Sequence, residues 1–166
     1  KALLEIVNDI LDFSKLESGR VTLSQEEFEI HGMVHDYLTP FRERAQEKNV
    51  LLRHDIASAV PAKLCADRVR LGRLLSVLIN NALKFTGRGE VSLQVGLTPQ
   101  IPTGMESTPP DRASWIRFTV TDTGIGIDKA DAGRLFQPFV QADGSYRRKY
   151  GGMGLGLALA KQLVEV

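Results

Sequence analysis

Tyr150–Leu157 reads Tyr-Gly-Gly-Met-Gly-Leu-Gly-Leu, with glycines at 151, 152, 154 and 156, and an apolar helical run from Leu157 to Val166 follows at once. Glycine carries no Cβ, so its backbone turns tightly and lets another group come close. A helix start offers unpaired N–H groups and the positive end of a dipole, a combination that favours phosphate. Alone, the stretch reads equally as a plain glycine loop ahead of an ordinary helix. The rest of the chain decides between the two.

Composition removes several classes. The 21 basic and 20 acidic residues leave a net charge of +1, so nothing points to a nucleic-acid partner or to direct contact with an acidic membrane. Apolar runs are only a few residues long, too short to span a bilayer, and no signal-peptide pattern is present. The single cysteine, Cys65, has no Cys-x-x-Cys companion and is expected to be buried packing in a protein of a reducing compartment. The chain begins inside one helical pattern and ends inside another, which reads as a piece of something longer.

Lys1–Ser18 has two apolar seams, Leu3, Ile6, Ile10 and Phe13 beside Leu4, Val7 and Leu11, and reads as a helix of a bundle whose partners lie elsewhere. A polar linker over 19–26 separates it from a domain over 27–166. Within that domain, strands are expected near Phe28–Ile30, Val50–Ile56, Leu64–Ala66, Glu90–Leu97 and Trp115–Thr121. A helix is expected over His31–Lys48, kinked or split at Pro40, and another from the cap Asp67 to about Phe85. A short helix is placed around Ala130–Phe136. Thr98–Arg112, rich in proline and threonine, reads as a long exposed loop. The natural pairing is 90–97 with 115–121 as an antiparallel hairpin. Without regular βαβ alternation, these elements make an α+β two-layer sandwich: one mixed, mostly antiparallel sheet with helices on one face.

Three further stretches carry chemistry. Asn80-Asn81-Ala82-Leu83-Lys84-Phe85 ends a long amphipathic helix. An amide oxygen there suits Mg²⁺ and a lysine suits phosphate, although a solvated helix end reads as well. Asp122-Thr123-Gly124-Ile125-Gly126 puts a carboxylate at a strand end, able to accept from an amino group such as that of adenine, before a turn on which a flat ring can lie; an ordinary Asx-capped turn has the same pattern. Phe136, Pro138 and Phe139 precede the cations Arg147, Arg148 and Lys149. The cations could neutralise a triphosphate or form a solvated face, and the aromatics could anchor a loop or simply pack. The chain has no Gly-x-x-x-x-Gly-Lys-Ser/Thr loop, and Leu157 stands where a dinucleotide fingerprint needs its last glycine. His31 and His35 have no glutamate between them in zinc-protease fashion and read as surface or half-buried residues.

In their order, Asn80–Thr86, Asp122–Ile127 and Leu135–Lys161 resemble the catalytic domain of sensor histidine kinases, hybrid-type above all, with the Bergerat ATP-binding fold. Val7–Gly19 resembles the second helix of that family's dimerisation bundle. The resemblance implies ATP and Mg²⁺ as cofactors. It implies that Asn81 holds the metal, Lys84 approaches the phosphates, Phe85 walls the pocket, and Asp122 reads adenine in a turn shaped by Gly124 and Gly126. Phe136 and Phe139 would anchor a lid, Arg147, Arg148 and Lys149 would meet the triphosphate, and Gly152, Gly154, Leu155 and Gly156 would line the phosphate end.

Two positions depart from that pattern. Val77 stands one helical turn before Asn81, where the family usually has a second asparagine and the gyrase-like relatives a glutamate that activates water; this speaks against an ATP-driven clamp of that kind. Met153 replaces a hydroxyl residue. The resemblance implies a kinase that phosphorylates a histidine outside this chain, so no catalytic residue is expected within it. The alternative is a degenerate module that regulates another histidine kinase through its bundle helix. Implied partners are the chain's own bundle helix, a second subunit or another kinase, and a response regulator or receiver domain. The implied location is the cytoplasmic side of an inner-membrane sensor.

Overall fold

The computed structural model describes residues 23–98, 115–140 and 154–165. The expected bundle helix, the loop beyond Thr98, the cations Arg147, Arg148 and Lys149, and Gly151, Gly152 and Met153 lie outside the described residues. In chain order the elements are β1 (Glu26–Glu29), α1 (Ile30–Glu47), β2 (Val50–Ile56), β3 (Lys63–Ala66), α2 (Arg68–Phe85), β4 (Gly89–Thr98), β5 (Trp115–Asp122), α3 (Lys129–Ala132) and α4 (Gly156–Glu165).

The architecture is α+β with a mixed sheet. β4 is central in a three-stranded ladder, parallel to β2 and antiparallel to β5, the latter as the hairpin pattern predicts. β1 and β3 pair antiparallel in a ladder of their own, so the strands form two ladders where one sheet was expected. Alternation sets the faces: Val91, Leu93 and Val95 are buried, and their cross-strand partners Asp122, Val120 and Phe118 share that side. Against it lie Ile30, Met33, Val34 and Leu38 of α1 and Leu75, Ile79 and Leu83 of α2, all nearly inaccessible to water. Each such side chain contributes roughly 1.5–3 kcal/mol by leaving water.

α1 and α2 run side by side in the same direction. Asp36 bonds Arg68, Tyr37 lies over Gly72, and Arg44 bonds Asn80, so both chain numbers rise together. A Cβ on Gly72 would fall 1.9 Å from Tyr37 Cζ, and the absence of one is what lets the helices approach there. α2 starts on its expected cap: Asp67 Oδ1 accepts from the Arg70 N–H at 3.0 Å, and Asp67 Oδ2 accepts from the Ser24 N–H at 3.1 Å.

Three local expectations need correction. Pro40 does not split α1, which runs unbroken for 18 residues. Pro40 and Asp36 are both exposed, so water can take the Asp36 carbonyl that the proline leaves unbonded. The helix placed around Ala130–Phe136 ends at Ala132, because Gly133 follows and the Arg134 and Leu135 N–H groups turn back onto the Asp131 carbonyl. Cys65 is exposed: Phe28 and Leu64 pair on the inner side of β1–β3, which turns Cys65, opposite Glu27, outward.

Candidate functional site

The site is built from the end of α2, the turn after β5 and the start of α4. α2 carries the polar cluster on its last turn and a half. Asn80 is exposed, and its Oδ1 accepts from Arg44 Nη1 at 2.8 Å. Asn81 is half-buried and has no hydrogen bond among the described residues, so its amide is open to a ligand. Lys84 is half-buried with its Nζ 4.9 Å from the centre of the Phe85 ring. Burial lowers the Lys84 pKa, the sign of a poorly hydrated charge that an anion can approach at low desolvation cost.

Asp122 ends β5 on the side of the sheet that the helices cover, because it pairs with the fully buried Val91. One oxygen, Oδ1, accepts from the Gly124 N–H at 2.9 Å. The other, Oδ2, has no partner among the described residues. A Cβ on Gly124 would fall 2.5 Å from the Phe85 carbonyl oxygen and 2.8 Å from Asp122 Oδ1, so only glycine passes between α2 and the carboxylate. Beyond it the Ile125 N–H donates to the Phe85 carbonyl at 3.4 Å, joining the turn to α2. Gly126 adopts φ +72° with open space beside it.

At the third edge, Gly154 adopts φ +72°, and a Cβ there would fall 2.6 Å from the Val140 carbonyl oxygen. Gly156 opens α4 against α2, where a Cβ would lie 3.3 Å from Val77 Cγ1. Leu155, expected in the nucleotide site, is 3% exposed; its side chain anchors α4 in the core, and its carbonyl accepts the first helical bond from Leu159. Phe136 and Phe139, expected to anchor a lid, are 47% and 67% exposed, so neither ring is held in the core.

Asn81, Lys84, Phe85, Asp122, Gly124, Gly126, Gly154 and Gly156 thus stand on three connected edges. Sequence reasoning missed Thr123, whose Oγ1 accepts from the Glu90 N–H at 2.9 Å while its own N–H donates to the Glu90 carbonyl at 3.1 Å. It also missed Lys48 and Arg44 of α1, which reach α2 across a contact that no local pattern announces. Thr86 is wholly buried at the end of α2, with its Oγ1 unpartnered among the described residues.

A carboxylate oxygen and an amide without partners among the described residues, a poorly hydrated lysine and glycine backbones at a helix start put donors and acceptors on adjoining edges, a set that can receive a phosphate-bearing ligand. Residues 66–166 match the family described as histidine kinase-, DNA gyrase B-, and HSP90-like ATPase, and the chain belongs to that family. Among curated relatives, the hybrid signal transduction protein dokA of Dictyostelium discoideum is 43% identical over 98% of this chain and 9% of its own length. The signal transduction histidine-protein kinase BarA of Escherichia coli K12 is 37% identical over 98% of this chain and 17% of its own. This chain therefore spans only a minor part of those proteins. Full-length ShkA in complex with AMPPNP superposes with a TM-score of 0.78 at 32% identity, covering 99% of this chain and 31% of that one. The histidine kinase AdeS of Acinetobacter baumannii, at 23% identity and TM-score 0.72, covers 99% of this chain and 67% of its own and shares the fold. No helix among the described residues is long and apolar enough to cross a membrane.

Proposed function

We propose that this chain is the ATP-binding catalytic domain of a hybrid-type sensor histidine kinase and serves a histidine outside its 166 residues. The observation that carries this reading is the Asp122 turn: one carboxylate oxygen is held by the Gly124 N–H, the other has no partner among the described residues, and Ile125 of the turn is bonded to the end of α2. Asp122 Oδ2 accepts the adenine amino group. Phe85 walls the base, and Gly124 and Gly126 give it a flat backbone surface. Lys84 meets the phosphates, together with Gly154, Gly156 and the cations Arg147, Arg148 and Lys149.

Mg²⁺ binding rests on the amide oxygen of Asn81 and on the phosphates. ATP supplies the phosphoryl group. The protein's own part is positioning and charge neutralisation, as in other phosphoryl transfers. Titration of the chain with ATP and Mg²⁺ tests the reading: saturable binding is expected, and none at millimolar nucleotide would sink it.

Val77 favours a second reading, a degenerate module that controls another kinase through the bundle helix and turns over little ATP. A helix at 1–18 pairing with a second copy or another kinase, a response regulator or receiver domain as phosphate acceptor, and a place on the cytoplasmic side of a membrane sensor complete both readings. Mixing the chain with a histidine-containing bundle and radiolabelled ATP separates them: phosphorylated bundle supports the kinase, and bound but untransferred ATP supports the regulator.

A further inference from the structure

An α-helix leaves its last four carbonyls without intrahelical partners and gathers a partial negative charge there. In α2 the last helical bond runs from the Thr86 N–H to the Ala82 carbonyl at 3.0 Å, and the Leu83, Lys84 and Phe85 carbonyls beyond it are each answered. The Phe85 carbonyl takes the Ile125 N–H at 3.4 Å. The Leu83 and Lys84 carbonyls take Lys48 Nζ, the latter at 3.4 Å. Lys48 itself ends α1. Because α1 and α2 run in the same direction, their negative ends meet side by side, and the Lys48 ammonium stands between them. One turn earlier on α1, Arg44 bonds Asn80 at 2.8 Å. Two cations four residues apart therefore hold α2 along the turn that carries Asn81, Lys84 and Phe85.

Building on the nucleotide-site reading, we infer that Lys48 is a positioning residue for ATP: it touches no ligand, but by holding the Leu83 and Lys84 carbonyls it aims Asn81 and Lys84 at the phosphate end of the site. The adenine end depends on it less: Phe85 shares the end of α2, but the Asp122 carboxylate is oriented by Gly124 and the turn is tied to β4 through Thr123 as well. Loss of Lys48 therefore weakens contacts to phosphate and metal more than contacts to the base. The expected effect on ATP affinity is about tenfold.

The experiment measures dissociation constants of ATP·Mg²⁺ and of adenosine by calorimetry, with melting temperatures, for the 166-residue wild type, Lys48→Met and Lys48→Arg. The expected result is about tenfold weaker ATP binding for Lys48→Met, adenosine binding within about twofold of wild type, and recovery of most ATP affinity in Lys48→Arg. Equal loss for both ligands, or unchanged ATP binding, overturns the inference while leaving the nucleotide site standing. Absence of ATP binding by the wild type overturns the site and this inference together. Should Lys48→Met fail to fold, Lys48→Gln keeps a neutral donor at the position and is held to the same split between ATP and adenosine.

Discussion

Val77 of α2 and Gly156 of α4 lie in near contact: a Cβ at 156 would stand 3.3 Å from Val77 Cγ1. The second glycine stretch is thus seated on the helix that carries Asn81, at the position where the family resemblance predicts another amide. Gly156→Ala should be about 1 kcal/mol less favourable beside Val77 than in a Val77→Ala background, because the new methyl crowds Val77. Urea unfolding of the four members of this cycle is the measurement; additive effects would mean that the two residues do not share the contact.

Val77→Asn should steepen the dependence of ATP binding on Mg²⁺, because it sets a second amide oxygen one turn from Asn81. Affinity is compared with Mg²⁺ present and after its removal with a chelator. If the ATP affinity of the Val77→Asn variant changes on Mg²⁺ removal no more than that of wild type, position 77 has no part in the metal site.

Asp122→Asn should weaken ATP by about tenfold or more and GTP much less, since only the adenine amino group needs an acceptor there. Competition of the two nucleotides on wild type and variant decides it. Equal loss for both would refute the assignment of Asp122 to the base.

Gly154→Ala meets two penalties at once. Its φ of +72° costs an alanine about 1–2 kcal/mol. Its Cβ would also fall 2.6 Å from a backbone oxygen, that of Val140, which cannot swing aside as a side chain would. Destabilisation of at least about 2 kcal/mol is expected. A urea midpoint unchanged from wild type would show that 154 does not hold this conformation.

Asp67→Ala should cost about 1 kcal/mol through loss of the α2 cap. Burial pushes the Asp67 carboxyl upward, but the N–H groups of Arg70 and Ser24 and the Arg70 guanidinium outweigh it and hold the pKa below the ordinary value of 3.8. A carboxyl depressed on folding adds stability above its unfolded pKa, and that stability is lost as pH falls through the folded pKa. The gap between wild type and variant should therefore be full at neutral pH and shrink below about pH 4, which urea unfolding at a series of pH values would reveal.

Much of the fold was legible in the chain because the signals are local. Alternation marked β2, β4 and β5, the Asp67 cap marked the start of α2, and Gly124 and Gly126 marked the turn. Where local rules met solvent or a neighbouring strand they failed. Pro40 stays within one helix because the carbonyl it frees faces water, and Cys65 is exposed because register, not apolarity, chose its face. Phe136 and Phe139 are likewise exposed although aromatic.

The sequence by itself determined which residues could form a nucleotide site, because hydrogen-bonding capacity, charge and freedom at φ belong to residue types and travel with them. It also determined the order of the elements that carry them, because caps and periodicity act within a few residues. Only the tertiary structure decided that Asp122 lies on the helix side of the sheet, that the Phe85 carbonyl receives Ile125, and that Lys48 closes the end of α2. These contacts join residues 31 to 40 positions apart, and such distances are set by strand register and helix packing, which no short window of sequence contains.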